Sequence, residues 1–416
     1  MSNKIFTRLI TFFLILLSNY PAHLYAQADE RLFSPSYRLP AEREQGMLSL
    51  ELENINFFKN NEYAGRVMKG YSLPGFYIQP KASYYALESL KLELGFHALY
   101  YHGANKYPAV AYIDIPVWKG EQDQGNTHLL PWLRAHLQLS EKVSIVMGNI
   151  YGGVNHNLIE PLYAPELNLT ADPEAGVQVL IDTKPFHFDA WMNWQSFIFR
   201  EDSHQEAFTA GFSSRYNFLP ESKSQELYFS LQGLAQHRGG EIDTLTESSV
   251  QTIMNGAAGI GFRLKSLNQK VKNLTFAYHL TGYYQQAGDL WPLENGYGHY
   301  VMASVDIADF YVKGSYMYSK DFISAYGLPL FGSLSTKEEG AIFDRPQLLT
   351  LSLAYTKPLA KGFALGIDAN IFHRLATDIR IPETGAWEKA KASTAFDVGI
   401  YLRINPSIYI ANLRSK

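Results

Sequence analysis

Apolar and polar residues alternate along most of this chain, in segments of roughly ten residues that recur from about residue 48 to about residue 404. In the segment at 363–371, Phe363, Leu365 and Ile367 fall on one face, whereas Gly366 and Asp368 fall on the other. Successive side chains of a β-strand point to opposite faces, so the alternation predicts strands with one apolar and one polar face. Counting the segments gives about 16 strands, with 14–18 possible.

The connections between these predicted strands alternate between short and long. Short links lie at 140–141, 183–185 and 308–309, and long ones near 152–173 and 320–346. A soluble sandwich also alternates, but its polar faces meet water and are richly charged. Here the polar faces carry mainly Ser, Thr, Gln and Asn, and aromatic residues gather near the strand ends. The pattern predicts an all-β fold, a transmembrane antiparallel β-barrel with short periplasmic turns and long extracellular loops.

The N-terminus has the features of an export signal. Lys4 and Arg8 precede an apolar run at 9–17, and small residues follow, ending at Ala26. The run is too short to span a bilayer as a helix. We therefore expect a cleaved signal peptide at 1–26, a periplasmic lead-in at 27–46 and a barrel at 47–416, located in the cell outer membrane.

Composition excludes several functions. The net charge of −4 over 416 residues offers no basic surface for nucleic acid. The chain has no cysteine, so it has neither a thiolate nucleophile nor a cysteine metal site. We expect no metal and no cofactor. The expected partners are outer-membrane lipid and small polar solutes, and the sequence leaves the oligomeric state open.

Two stretches carry a resemblance to a known class of protein. They are the opening segment Leu48–Phe58, LSLELENINFF, and the segment Leu73–Pro80, LPGFYIQP. With the architecture of the whole mature chain, they resemble porin-type outer-membrane barrels, especially uncharacterised barrels of the Bacteroidota. The resemblance implies passage of small polar solutes. One departure is the C-terminus at Lys416, because such barrels commonly end on an aromatic residue.

Strand parity places a set of charged residues and one tryptophan on the polar, lumenal face. Opposite charges can create a transverse field across a water-filled constriction, which favours polar solutes. They can equally pair and close the interior. Trp191 lies beside polar side chains, where it could stack on a saccharide or simply pack. The pore-lining candidates are Arg134, Asp189, Trp191, Arg215, Lys313, Asp368, Asp397 and Arg403.

The connection at 152–166 is more apolar than a solvated loop should be. In general porins the third loop folds into the lumen and supplies acidic residues to the constriction. By that analogy, Glu160 and Glu166 are constriction candidates. The alternative is an ordinary loop that packs at the barrel mouth.

Three functions remain. The first is a porin-like channel, the second a closed barrel that acts as a surface scaffold through its loops, and the third an outer-membrane enzyme that modifies lipid. About 16 strands enclose an aqueous lumen, whereas lipid enzymes tend to be smaller barrels. The sequence also has no Gly-x-Ser-x-Gly nucleophile motif. We therefore expect a channel and no enzymatic activity.

Overall fold

The structure is a computed structural model that describes residues 39, 43–102, 128–199, 205–219, 224–240, 250–289 and 291–414. The expected signal peptide at 1–26 lies outside these residues, as does most of the lead-in at 27–46. No helix in the described ranges is long and apolar enough to cross a membrane.

One antiparallel sheet contains nearly all the strands and closes on itself. Its segments are β1 (Met47–Glu62), β2 (Tyr71–Leu87), β3 (Leu90–Tyr101), β4 (His128–Ser140), β5 (Val143–Asn149), β6 (Ala175–Asp182), β7 (Phe186–Ser196), β8 (Ala207–Asn217), β9 (Gln225–Arg238), β10 (Gln251–Lys265), β11 (Val271–Ala287), β12 (Asn295–Ile307), β13 (Phe310–Lys320), β15 (Gln347–Ala360), β16 (Phe363–Arg374), β19 (Ser393–Ile404) and β20 (Ser407–Asn412). A second sheet contains β14 (Ile342–Asp344), β17 (Thr377–Arg380) and β18 (Trp387–Ala390).

The barrel closes where the last strand meets the first. β19 pairs with the second half of β1, and β20 pairs with its first half. The two segments are one bent strand, interrupted only at residues 405–406, so the 17 segments of the sheet form 16 barrel strands. The predicted fold and strand count are confirmed.

The two faces of the wall differ as the alternation predicts. Outward-facing Leu94 and Leu129 are 67 % and 66 % exposed, whereas inward-facing Gln178 is fully buried. An apolar exterior with a polar interior is the arrangement that a bilayer requires of a barrel.

Two connections fold back into the barrel instead of extending outwards. We call residues 150–174 and 321–346 together the plug. The plug contains 3-10 turns at Gly153–His156 and Pro329–Phe331 and a short α-helix at Leu167–Thr170. Its apolar side chains, such as Leu162 and Phe322, pack against inward-facing residues near the extracellular strand ends. The connection near 320–346, expected as an outer loop, is therefore inside the barrel.

Candidate functional site

The barrel wall has a notch on its extracellular side. β5 pairs with β4 only from Arg134 to Ser140, and β6 pairs with β7 only from His187 to Asn193. As a result, no described strand lies between residues 128–133 of β4 and residues 194–196 of β7. The chain from 150 to 174 enters the lumen through this gap.

Local sequence explains why the two strands stop here. Gly148 has φ +84°, and a Cβ at this position would lie 2.1 Å from the Leu133 carbonyl oxygen. Only glycine adopts this backbone conformation without strain. The Leu133 N–H then donates to Oδ1 of Asn149 at 2.8 Å instead of to a strand partner. Asn193 accepts from the Ala175 N–H in the same way, at 3.0 Å.

A pocket of about 130 Å³ lies inside the barrel, between β1–β4 and the chain from 150 to 174. His97 lines it and pairs through its backbone with Leu130 of β4, which places it level with the gap. The His97 ring lies against Tyr77, with centroids 5.5 Å apart. Asp172 also lines the pocket, and its Oδ1 lies 3.5 Å from Nδ1 of His128, which joins the plug to the wall.

One ring nitrogen of His97 has a hydrogen-bond partner among the described residues and the other has none. Nδ1 lies 2.8 Å from the side-chain amide of Gln79. Nε2 is buried and has no hydrogen-bond partner among the described residues. When the Gln79 amide is turned so that its oxygen accepts the Nδ1 proton, Nε2 carries the lone pair of the neutral ring. A neutral imidazole in this state can take a proton from water.

A second histidine, His156, anchors the plug to the wall. Its Nδ1 lies 2.7 Å from Oδ2 of Asp189 and its Nε2 lies 3.0 Å from Oε2 of Glu174. The ring stacks on Trp191 at a centroid distance of 3.5 Å. Burial alone would lower the pKa of His156, but the two carboxylates outweigh it and raise the pKa to about 9. His156 is therefore an imidazolium ion at neutral pH and cannot act as a base.

Glu160 and Glu166 also fix the plug to the wall. Glu160 forms an ion pair with Lys313 and accepts a hydrogen bond from Tyr300 at 3.1 Å. Glu166 lies 3.7 Å from Nζ of Lys59. The predicted constriction loop thus does enter the lumen, where its acids are bound to wall residues.

The other sequence candidates also point into the lumen, and each has a partner there. Arg134 donates to the Asn149 and Ile150 carbonyls at 2.6 and 2.9 Å, Arg215 pairs with Glu226 at 2.7 Å, Asp368 accepts from Tyr401 at 2.9 Å, Asp397 lies 3.3 Å from Lys59, and Arg403 donates to Glu53 at 2.8 Å. Their role in lining a path for solutes stays a prediction.

Below the plug, a chamber of about 460 Å³ brings four of these candidates together. Asp189, Arg215, Lys313 and Glu160 all line it. Within the chamber, Oγ of Ser230 lies 3.1 Å from Nε2 of His279. In the ranges that the structure describes, no group of three or more His, Asp or Glu side chains is arranged to hold a metal ion.

Sequence reasoning missed the notch and the roles of His97 and His156. Nothing in the sequence showed that β5 and β6 would be short. One available signal was Gly148, and another was the run at 322–331, which is as apolar as the connection at 152–166.

Similar solved structures include three bacterial proteins of low sequence identity. They are an outer-membrane protein of Vibrio cholerae, OmpT with loop L8 deleted (11 % identity, 86 % of this chain and 99 % of that chain, TM-score 0.47); OccAB2 of Acinetobacter baumannii (11 %, 86 % and 98 %, TM-score 0.49); and the outer-membrane protein OprD of Pseudomonas aeruginosa (10 %, 90 % and 98 %, TM-score 0.45). No curated protein matches the chain. The resemblance to Bacteroidota barrels in particular stays a prediction.

The expectation of no enzymatic activity is wrong. Residues 39–413 match a protein family described as lipid A 3'-O-deacylase-type, which is an enzyme family. Barrel size misled the sequence argument, because 16 strands do not leave an open lumen when two connections fill it. The match covers most of the 416 residues, and the chain therefore belongs to the lipid A 3'-O-deacylase-type family.

Proposed function

We propose that this protein is an outer-membrane hydrolase that removes an ester-linked acyl chain from lipid A. The observation that carries the proposal is the notch, because it interrupts the wall at the level of His97, which lines a polar pocket and has one ring nitrogen without a hydrogen-bond partner among the described residues. The family description supplies the substrate class.

The notch suits a substrate that stays partly in the bilayer. Leu129 and Leu133 on one side are 66 % and 60 % exposed, and Trp194 is exposed on the other. These side chains offer an apolar border along which an acyl chain can lie. The ester group at the head of that chain would then meet the pocket at the level of His97, so the lipid need not leave the membrane completely.

The chemistry requires a water molecule between Nε2 of His97 and the ester carbonyl carbon. His97 takes a proton from this water as the new carbon–oxygen bond forms, which gives a tetrahedral intermediate. Lys81 and Arg134 line the same pocket and place positive charge near the negative oxygen. The ester carbon–oxygen bond then breaks, and the proton passes from His97 to the departing sugar oxygen. The products are a free fatty acid and a sugar hydroxyl group.

The porin-like channel and the surface scaffold remain alternatives. The plug fills the extracellular part of the lumen with apolar packing, as at Leu162 and Phe322. A passive channel would need this segment to move, whereas lateral entry through the notch leaves the plug in place. This difference is why we favour the hydrolase.

The test is hydrolysis of lipid A by the purified full-length protein in detergent micelles or vesicles, followed by mass spectrometry. We expect the native protein to release one fatty acid and His97→Gln to be at least about a hundredfold slower, because general-base catalysis typically contributes that much. His279→Gln is the matched control, since His279 is also buried and lumenal but lies in the chamber. The proposal fails if the native protein releases no fatty acid, or if both variants behave alike while remaining folded.

A further inference from the structure

An apolar groove of about 760 Å³ runs along the outside of the wall, across β9 to β13 and β15. Its floor is formed where Ala303 of β12 pairs with Gly314 of β13. Phe276 pairs with Ala303 on one side, and Leu351 pairs with Gly314 on the other. Two small residues between two large ones leave a trough that faces the bilayer.

A polar patch lies at the extracellular end of this groove, and we define it by Tyr297, His299, Tyr318 and Lys320. The register pairs Tyr297 with Lys320 and His299 with Tyr318, so the four side chains are neighbours on the outer face. Nδ1 of His299 lies 2.8 Å from the hydroxyl of Tyr278, a residue that also lines the groove. The patch is therefore continuous with the trough.

The chemistry of the patch suits an anion. When the Tyr278 hydroxyl donates to Nδ1 of His299, the ring proton stays on Nε2 and can be donated outwards. Lys320 adds a full positive charge, and no carboxylate of the described residues forms an ion pair with it. Outward-facing tyrosines at this level are typical of the membrane–water interface, where lipid headgroups lie.

We propose that the groove and the patch together bind one outer-leaflet glycolipid that carries a phosphate group on its headgroup. One acyl chain lies in the trough over Ala303 and Gly314, and the phosphate contacts Lys320 and His299. The volume of the groove lies within the range of ordinary ligand sites. This site is on a different part of the wall from the notch, and the proposal does not depend on hydrolysis.

The barrel contains a natural comparison for this site. His373 is also outward-facing near the extracellular end of its strand, and its Nδ1 lies 2.9 Å from Oγ1 of Thr394. It thus shares the ring geometry of His299. The residue of β15 that corresponds to Lys320, two positions before its cross-strand partner Leu349 on the extracellular side, is the uncharged Gln347.

The experiment measures the lipid that remains bound to the delipidated, re-equilibrated full-length protein, by native mass spectrometry. The probes are phosphorylated lipid A, dephosphorylated lipid A and phosphatidylglycerol. The variants are Lys320→Gln with His299→Gln, and Gly314→Phe, which fills the trough. A Cβ at Gly314 would come no closer than 3.9 Å to the Thr350 carbonyl oxygen, so the change leaves the wall intact. The controls are His373→Gln with Lys357→Gln, and Ala135→Phe on the far side of the barrel.

We expect native protein to retain phosphorylated lipid A, and the double variant Lys320→Gln with His299→Gln to lower its affinity at least about fivefold, because one basic residue near a lipid surface already contributes about that much. Gly314→Phe should weaken the binding of both forms of lipid A, and the controls should change neither. Equal retention of dephosphorylated lipid A would overturn the phosphate contact. Equal retention of phosphatidylglycerol would overturn the assignment to a glycolipid. Unchanged binding in both test variants would overturn the site.

Discussion

Replacing His156 should release the plug from the wall. The ring holds Asp189 on β7 and Glu174 on the plug at 2.7 and 3.0 Å, so His156→Ala leaves two buried carboxylates facing each other. The pKa of His156 is about 9 against an ordinary value of 6.5. At about 1.4 kcal/mol per pKa unit, the carboxylates stabilise the charged ring by roughly 3 kcal/mol beyond the effect of burial. Losing one member of a buried ion pair typically destabilises by a similar amount, about 3–5 kcal/mol.

A loss of roughly 3 kcal/mol raises the population of the open plug by about a hundredfold. The chain has no native cysteine, so one introduced at Ala164 reports on the plug alone. Ala164 is 6 % exposed, and its N–H donates to the Tyr326 carbonyl oxygen inside the plug. The assay is the rate at which a water-soluble maleimide labels Ala164→Cys, with and without His156→Ala.

Two controls define the outcome. A cysteine at exposed Glu383 should be labelled at the same rate in both backgrounds. His279→Ala should leave the rate at Ala164→Cys nearly unchanged, because the hydrogen-bond partner of His279 is the uncharged Oγ of Ser230, at 3.1 Å. If His156→Ala accelerates labelling no more than His279→Ala does, the ion pairs of His156 with Asp189 and Glu174 do not hold the plug.

The plug and the notch give three further predictions. Because the raised pKa of His156 gives stability that is complete below pH 6.5 and is lost as pH rises through about 9, the labelling rate of Ala164→Cys relative to that of exposed Glu383→Cys should rise above pH 9; a rate ratio that stays flat from pH 7 to 10 would contradict this. Gly148→Val should strain the end of β5 and lower the yield of the heat-modifiable folded form on electrophoresis, whereas Gly282→Val, which has open space around it, should not. A disulfide formed between His128→Cys and Asp172→Cys should close the notch and stop lipid A hydrolysis, and reduction should restore it; activity that survives oxidation would show that substrate enters elsewhere.

The fold was predictable because a barrel imposes a simple rule on its sequence. Every residue of a strand faces either lipid or lumen, so an error at one position is corrected by its neighbours two residues away. This is why the parity of Asp189, Arg215 and Lys313 agrees with the structure. The same rule applied to Trp191 places it inside the barrel, where it stacks on His156.

The site was less predictable because it depends on contacts between distant segments. His97 shares a pocket with Asp172 and Glu174, and these two residues lie on a connection whose sequence has no regular period. His156 lies in the plug and is paired with Asp189 of β7, and no spacing in the sequence predicts this pair. The prediction of no enzymatic activity failed for a related reason. The number of strands sets the size of the lumen but does not show which segments fill it.

The notch also has a consequence for the membrane around the protein. Backbone groups at its rim, along residues 128–132 of β4, are not paired with β5, and an unsatisfied peptide group in hydrocarbon costs several kcal/mol. Water and lipid headgroups that reach this rim would hydrogen-bond these groups, so we expect the outer leaflet to be locally thinner here than around the rest of the barrel. The membrane–water interface would then lie at the level of His97 beside the notch. A lipid that diffuses past would have its ester group hydrated before it is bound.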